Sequence, residues 1–132
     1  MHKIGVSTSR REEMIDITPR VREVISGQGW TSGALLLYCP HTTGAITVNE
    51  GADPDVMRDI VVNMRALIPH RGDYHHAEGN SDAHIKSSMF GCEQLVIVED
   101  GSLQLGTWQK IFFCEFDGPR SRTLWAQWLP GG

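Results

Sequence analysis

The stretch from Asp53 to Pro69 constrains this chain more than any other, because helix start, helix period and helix stop all agree there. Asp53 offers a carboxylate as N-cap, Pro54 brings the fixed φ of a first helical position, and Asp55 sits at the positive end of the helix dipole. Val56, Ile60, Met64 and Leu67 recur on one face, and Pro69 stops the run, so a helix over 53 to 68 is predicted. No other apolar stretch shows so complete a helical pattern. Whatever surrounds this helix has to be built mainly from short segments.

Those segments read as follows. Residues 3 to 17 look like one or two strands interrupted by SRREE, which suggests a hairpin. Thr18 and Pro19 make a helix start, with the Thr18 hydroxyl as cap, Val21, Val24 and Ile25 as the buried stripe and Gly27 as the end. GALLLYC (33 to 39) is a nearly continuous apolar run, as expected of a strand covered on both faces, and AITVNE (45 to 50) reads as its neighbour. The link PHTTG between them places His41, Thr42 and Thr43 at a strand end. HRGDYHHAEGN (70 to 80) is a polar loop, and Ser81 and Asp82 start a short helix that Gly91 ends. EQLVIV (93 to 98) is a strand, Asp100-Gly101 a hairpin turn, Leu103 to Phe116 the returning strand, and TLWAQWL the last strand after Asp117-Gly118-Pro119.

This order predicts one α+β domain over residues 1 to 132, with a mixed or antiparallel sheet, about three helices and a C-terminal three-stranded meander. The length suits a single core. The chain has no apolar block like that of a secretory signal and no membrane-length run, so a cytoplasmic protein is expected. Cys39, Cys92 and Cys114 are odd in number and widely spaced, each in or beside an apolar segment, which reads as buried strand thiols in a reducing compartment. A net charge of -4 with scattered Lys and Arg argues against a nucleic-acid partner.

The chemistry-bearing residues cluster in the middle of the chain. Six histidines occur, four of them (His70, His75, His76 and His84) within fifteen residues that also hold Asp73, Glu78 and Asp82. Imidazole and carboxylate together suit zinc or a similar ion, and His41, His76 and His84 could supply the three ligands of a site with an open fourth position. Against this, no HxH or HExxH pattern fixes the geometry, and a polar histidine-rich loop is ordinarily just solvated. In the segment 106 to 122, Trp108 and Gln109 begin the returning strand and Glu115, Arg120 and Arg122 flank its exit turn; alternating aromatics there ordinarily pack a core, and guanidinium groups suit phosphate, although an arginine after a turn is most often solvated. Lys86, Ser87 and Ser88 form a further anion-binding candidate.

Three strings taken together resemble the YjbQ family, whose members are often described as secondary thiamine-phosphate synthases. They are PHTTGAITVNEGADPDV (40 to 56), YHHAEGNSDAHIKSSMFG (74 to 91) and GSLQLGTWQKIFFCEFDGPRSR (101 to 122), in the family's order. The resemblance implies a compact homotrimer with its histidines gathered near a subunit boundary, where His41, His76 and His84 hold a divalent metal. Zinc suits the imidazoles, and magnesium the oxygens of a pyrophosphate. It also implies transfer of a pyrimidine methyl group from its pyrophosphate to a thiazole phosphate. Glu50, Gln109 and Arg120 would then be catalytic, and Lys86, Ser87, Arg120 and Arg122 would bind the phosphorylated substrate. A non-catalytic trimeric module for a metal or small anion, or a metal-assisted hydrolase, is the alternative.

Overall fold

Eight strands and three helices follow one another in the computed structural model, which describes all of residues 1–132. They are β1 (His2–Ser7), β2 (Glu13–Asp16), α1 (Thr18–Gln28), β3 (Gly33–Tyr38), β4 (Gly44–Glu50), α2 (Pro54–Leu67), α3 (Ser81–Phe90), β5 (Glu93–Glu99), β6 (Ser102–Gln104), β7 (Gln109–Glu115) and β8 (Ser121–Pro130). The expected α+β class with three helices is what forms. Every strand pair is antiparallel.

The strands divide between two sheets, of order β1-β8-β3-β5-β6 and β2-β7-β4, and this division corrects three of the expected pairings. Residues 3 to 17 make no hairpin: β1 joins β8, whereas β2 joins β7. Between them, Thr8 and Arg11 bond to the 117–120 turn (Thr8 N to Arg120 O 2.9 Å, Gly118 N to Arg11 O 2.9 Å), which carries the chain from one sheet to the other. Likewise β4 does not lie beside β3; it pairs β7. The C-terminal meander is replaced by a split, because a tight turn at Gly106 (Gln109 N to Gly106 O 3.0 Å, Gly106 N to Gln109 Oε1 2.7 Å) redirects the chain from β6 into the second sheet as β7. The hairpin turn itself holds, with Asp100 at φ 51° and Gly101 at φ 75°, the left-handed pair that a two-residue connection requires.

Alternation along the strands builds the core. Leu35 and Leu37 of β3, Val96 and Val98 of β5, Leu124 and Ala126 of β8 and Ile4 of β1 face Ile46, Ile111 and Phe113 of the second sheet, and Ile17, Val21 and Ile25 of the α1 region close the side. The other face of the second sheet carries Ala45, Phe112 and Cys114, covered by Ala83 of α3 and Met57 of α2. So β7, not β3, is the strand buried on both faces. The outer side of the five-stranded sheet stays bare in one chain, with Leu95 and Ile97 at 62% and 63% exposure beside stacked Tyr38 and Trp125.

Local details adjust the expected caps. Thr18 does not cap α1 with its hydroxyl, which instead accepts from Ile111 N at 2.8 Å, while Asp16 Oδ1 accepts from Thr18 N at 2.9 Å. The helix runs past Gly27 and ends on Gly29, at φ 67°. In α2 the cap is as predicted, Asp53 Oδ1 accepting from Asp55 N at 2.9 Å, yet Leu67 is left exposed and no residue of that helix is fully buried. Cys39 and Cys114 are buried strand thiols; Cys92, in the link between α3 and β5, is exposed. No helix is long and apolar enough to cross a membrane.

Candidate functional site

The link from β3 to β4 has to step from one sheet to the other, and that step leaves Pro40 and His41 half-buried and Thr42 exposed along the seam, with Thr43 buried. His41 is anchored there by the backbone of β8: its Nε2 lies 3.0 Å from Thr123 N and 3.1 Å from Thr123 O. Nδ1 is therefore the ring nitrogen left for a ligand. Burial, and after it the charge of Arg122, push the His41 pKa below its ordinary value and favour the neutral ring.

Helix α3 lies across the same seam and presents two different polar faces. On one, Lys86 is fully enclosed, its Nζ donating to Glu12 Oε2 at 3.0 Å and to Asp82 Oδ2 at 3.1 Å. Arg11 completes this cluster with a two-pronged grip on Asp82 (3.1 and 3.0 Å). Roughly half a helical turn away in angle, His84 and Ser88 look toward His41, with Ser87 beside them. Three adjoining cavities meet at His84. One of 340 Å³ is lined by His41, Thr42, Asn80, Asp117 and Arg120 among others, and one of 530 Å³ by His41, Thr42, Ser87, Ser88 and Cys92. A third, of 390 Å³, brings in His75 and His76 from the loop.

Within the molecule, two buried side-chain polar atoms lack a hydrogen-bond partner, Asn80 Oδ1 and Ser87 Oγ, and both residues line this cleft. Buried polar groups are nearly always paired, so orphans at one place mark where a further molecule is expected. A larger groove of 580 Å³ between α2 and residues 10–14 has no such atom. There Arg11, Arg58 and Arg65 already pair with Asp82, Asp59 and Glu12.

The predicted site residues fare unequally. His41 and His84 share two of the cavities, and His76 touches His84 edge to face, their ring centroids 5.5 Å apart. Glu78 Oε2 stands 3.8 Å from His76 Nε2. No three His, Cys, Asp or Glu side chains form a ready-made ion site within one chain. Arg120 lines the cleft, with Nε on Asp117 O at 2.8 Å and Nη2 on Asp117 Oδ2 at 2.8 Å, leaving Nη1 free.

Arg122 is different: it is buried and taken up by Glu115 and Thr43, the latter's Oγ1 at 2.9 Å. Lys86 is enclosed on the far face of α3 and does not reach the cleft, because two carboxylates hold it inward. Glu50 and Gln109 pair with each other at the opposite end of β4 from Gly44, about 20 Å along the strand at 3.3 Å per residue. One chain therefore keeps them apart from the histidines. Asn80 and Asp117 were missed by the sequence reading. They bond to each other (2.9 Å), and the turn that carries Asp117 next to Arg120 was the available signal.

The family model described as UPF0047 protein YjbQ-like matches residues 2–131. The UPF0047 protein YugU of Bacillus subtilis is 53% identical over 128 residues, covering 96% of each chain. A UPF0047 protein of Methanocaldococcus jannaschii is 50% identical over 127 residues, covering 96% of this chain and 92% of its own. Among solved structures, an uncharacterized conserved protein of the YjbQ/UPF0047 family from Clostridium acetobutylicum superposes with a TM-score of 0.95 at 48% identity, covering 98% of this chain and 100% of that one. A hypothetical protein from Aeropyrum pernix gives 0.93 at 40% identity, with 98% of both chains covered.

Proposed function

This chain belongs to the UPF0047 family of YjbQ-like proteins, and from that premise we propose that the His41–His84 cleft binds a small phosphorylated substrate and transfers its organic group. The observation that carries this reading is the gathering of both orphan polar atoms, two imidazoles and the free Nη1 edge of Arg120 around two adjoining polar cavities that share His41 and His84. A guanidinium edge suits a phosphate oxygen. The neutral ring favoured at His41 keeps one nitrogen as a hydrogen-bond acceptor, and His84 lines the same cavity.

The reaction implied is thiamine-phosphate synthesis. The bond between the pyrimidine methylene carbon and its pyrophosphate oxygen breaks, and the thiazole nitrogen lends its electron pair to a new carbon–nitrogen bond. Pyrophosphate leaves with the electrons of the broken bond, so no oxidant or reductant is needed. Arg120 would meet the negative charge growing on that leaving group. Incubating the protein with the pyrimidine pyrophosphate, the thiazole phosphate and magnesium should yield thiamine phosphate and pyrophosphate, with His84→Ala, which removes a ring that positions the substrates, slowing turnover about 100-fold. Substrate binding without turnover would favour a non-catalytic module, and no binding of either substrate would overturn the reading.

A divalent metal, zinc by the chemistry of the donors, is proposed as well, supported by the His76–His84 ring contact and the nearness of Glu78. Elemental analysis of untagged protein should find about one zinc per chain, lost in His76→Ala and His84→Ala. Undiminished metal in both variants would remove these histidines from the site.

The homotrimer is proposed on the bare apolar face of the five-stranded sheet, since exposed apolar surface of this extent ordinarily marks an interface. Replacing Leu95 and Ile97 together by glutamate should give monomers in sedimentation, and a monomeric wild type would refute the assembly. Cytoplasmic residence is proposed alongside; the three free thiols support it.

A further inference from the structure

The cleft has two unlike halves on either side of His41 and His84. The half with Asn80, Asp117 and Arg120 is charged. The other is lined by Thr42, Gly44, Ser87, Ser88, Gly91 and Cys92 and has no lysine or arginine. Lys86, although next to Ser87 in sequence, is enclosed on the far side of the helix. We propose that this uncharged half holds the neutral, hydrogen-bonding part of the ligand and that Ser87 selects it. The proposal rests on the phosphorylated-substrate reading, which places the anionic part at Arg120.

Ser87 itself carries the inference. A serine inside a helix can satisfy its hydroxyl on the carbonyl four residues back, as Ser88 does on His84 O at 2.9 Å. Ser87 makes no such bond, yet the residue is only 9% exposed and its Oγ has no partner at all. An unpaired buried hydroxyl lowers the stability of the free protein, so its presence asks for a partner that arrives later. With no lysine or arginine at hand, a phosphate would be poorly matched at Ser87, whereas a ring nitrogen or an amino group would pair with the hydroxyl.

The test uses Cys92, the one exposed thiol, which lines the same half. Its alkylation by iodoacetamide reports whether the half is filled. The neutral probe is 4-aminopyrimidine and the anionic probe is inorganic pyrophosphate. Saturating 4-aminopyrimidine should slow alkylation, and Ser87→Ala should raise the half-protecting concentration about 3- to 10-fold, the loss of one hydrogen bond. Pyrophosphate affinity should stay within about twofold in that variant, and Tm should be unchanged or higher, because an orphan hydroxyl has been removed.

Equal protection in Ser87→Ala, no protection in the wild type, or a fall in Tm that shows the hydroxyl serving an internal water would each overturn the proposal. If instead 4-aminopyrimidine protects as expected but pyrophosphate does not bind, the phosphorylated-substrate reading fails while the neutral half stands.

Discussion

Helix α3 offers a comparison inside a single element. On one face Asp82 and Lys86 close with Glu12, Arg11 and Arg65 into a cluster where each charge has a partner. On the other, Ser87 and the preceding Asn80 leave polar atoms unpaired beside His84. Both faces are rich in residues that could bind a ligand. What separates them is completeness: the first face is already satisfied and can only hold the fold together, whereas the second is unfinished and open to a ligand.

The largest expected effect breaks the finished face. Lys86→Met leaves Glu12 and Asp82 without their shared cation and should cost about 3 kcal/mol in urea unfolding. That is the lower end for a broken buried pair, because Arg11 stays on Asp82 and Arg65 on Glu12. A cost below about 0.5 kcal/mol would show that the cluster is ordinary surface charge.

A smaller effect is expected on the open face. His84→Ala should change stability by less than about 1 kcal/mol, since its half-buried ring fills no core position, while pyrophosphate binding weakens by tenfold or more. Equal stability losses at Lys86 and His84 would erase the distinction between the faces.

The smallest effects come from pH, and both carry the same sign. Burial pushes the Asp82 pKa up, but hydrogen bonds and charges from Arg11 and Lys86 outweigh it and hold the group below its ordinary value. Its contribution is present above about pH 3.9 and is lost as pH falls through the lower folded value. For His41 the folded pKa also lies below the ordinary one, so between the two the unfolded chain binds more protons and stability rises with pH, fully present above about 6.5. Thermal unfolding from pH 4 to 8 should show a shallow fall below about 6.5 that His41→Gln removes. A His41→Gln curve parallel to the wild type would discount this titration.

Much of the molecule was legible beforehand. Asp53, Pro54 and Pro69 delimit α2 because capping and proline chemistry act within a few residues, and Asp100-Gly101 is a turn for the same local reason. His41 and His84, which the resemblance singles out, line the same two cavities. The partition of strands was not legible: a strand alternates with period two whichever sheet it joins, so nothing in AITVNE or IFFCEF says that β4 and β7 belong with β2. Lys86 misled for a related reason. A lysine in a short polar helix ordinarily points to solvent, and here Glu12, 74 residues away, joins Asp82 in turning it inward.

Local chemistry in the sequence alone determined where helices and turns begin and end, which residues alternate into a core, and that imidazole, hydroxyl and guanidinium groups are present in numbers. Tertiary structure alone decided which of those groups are already paired. Pairing depends on contacts such as Glu12 with Lys86 and His41 with Thr123, made between residues 74 and 82 positions apart, and local sequence patterns carry no record of such encounters.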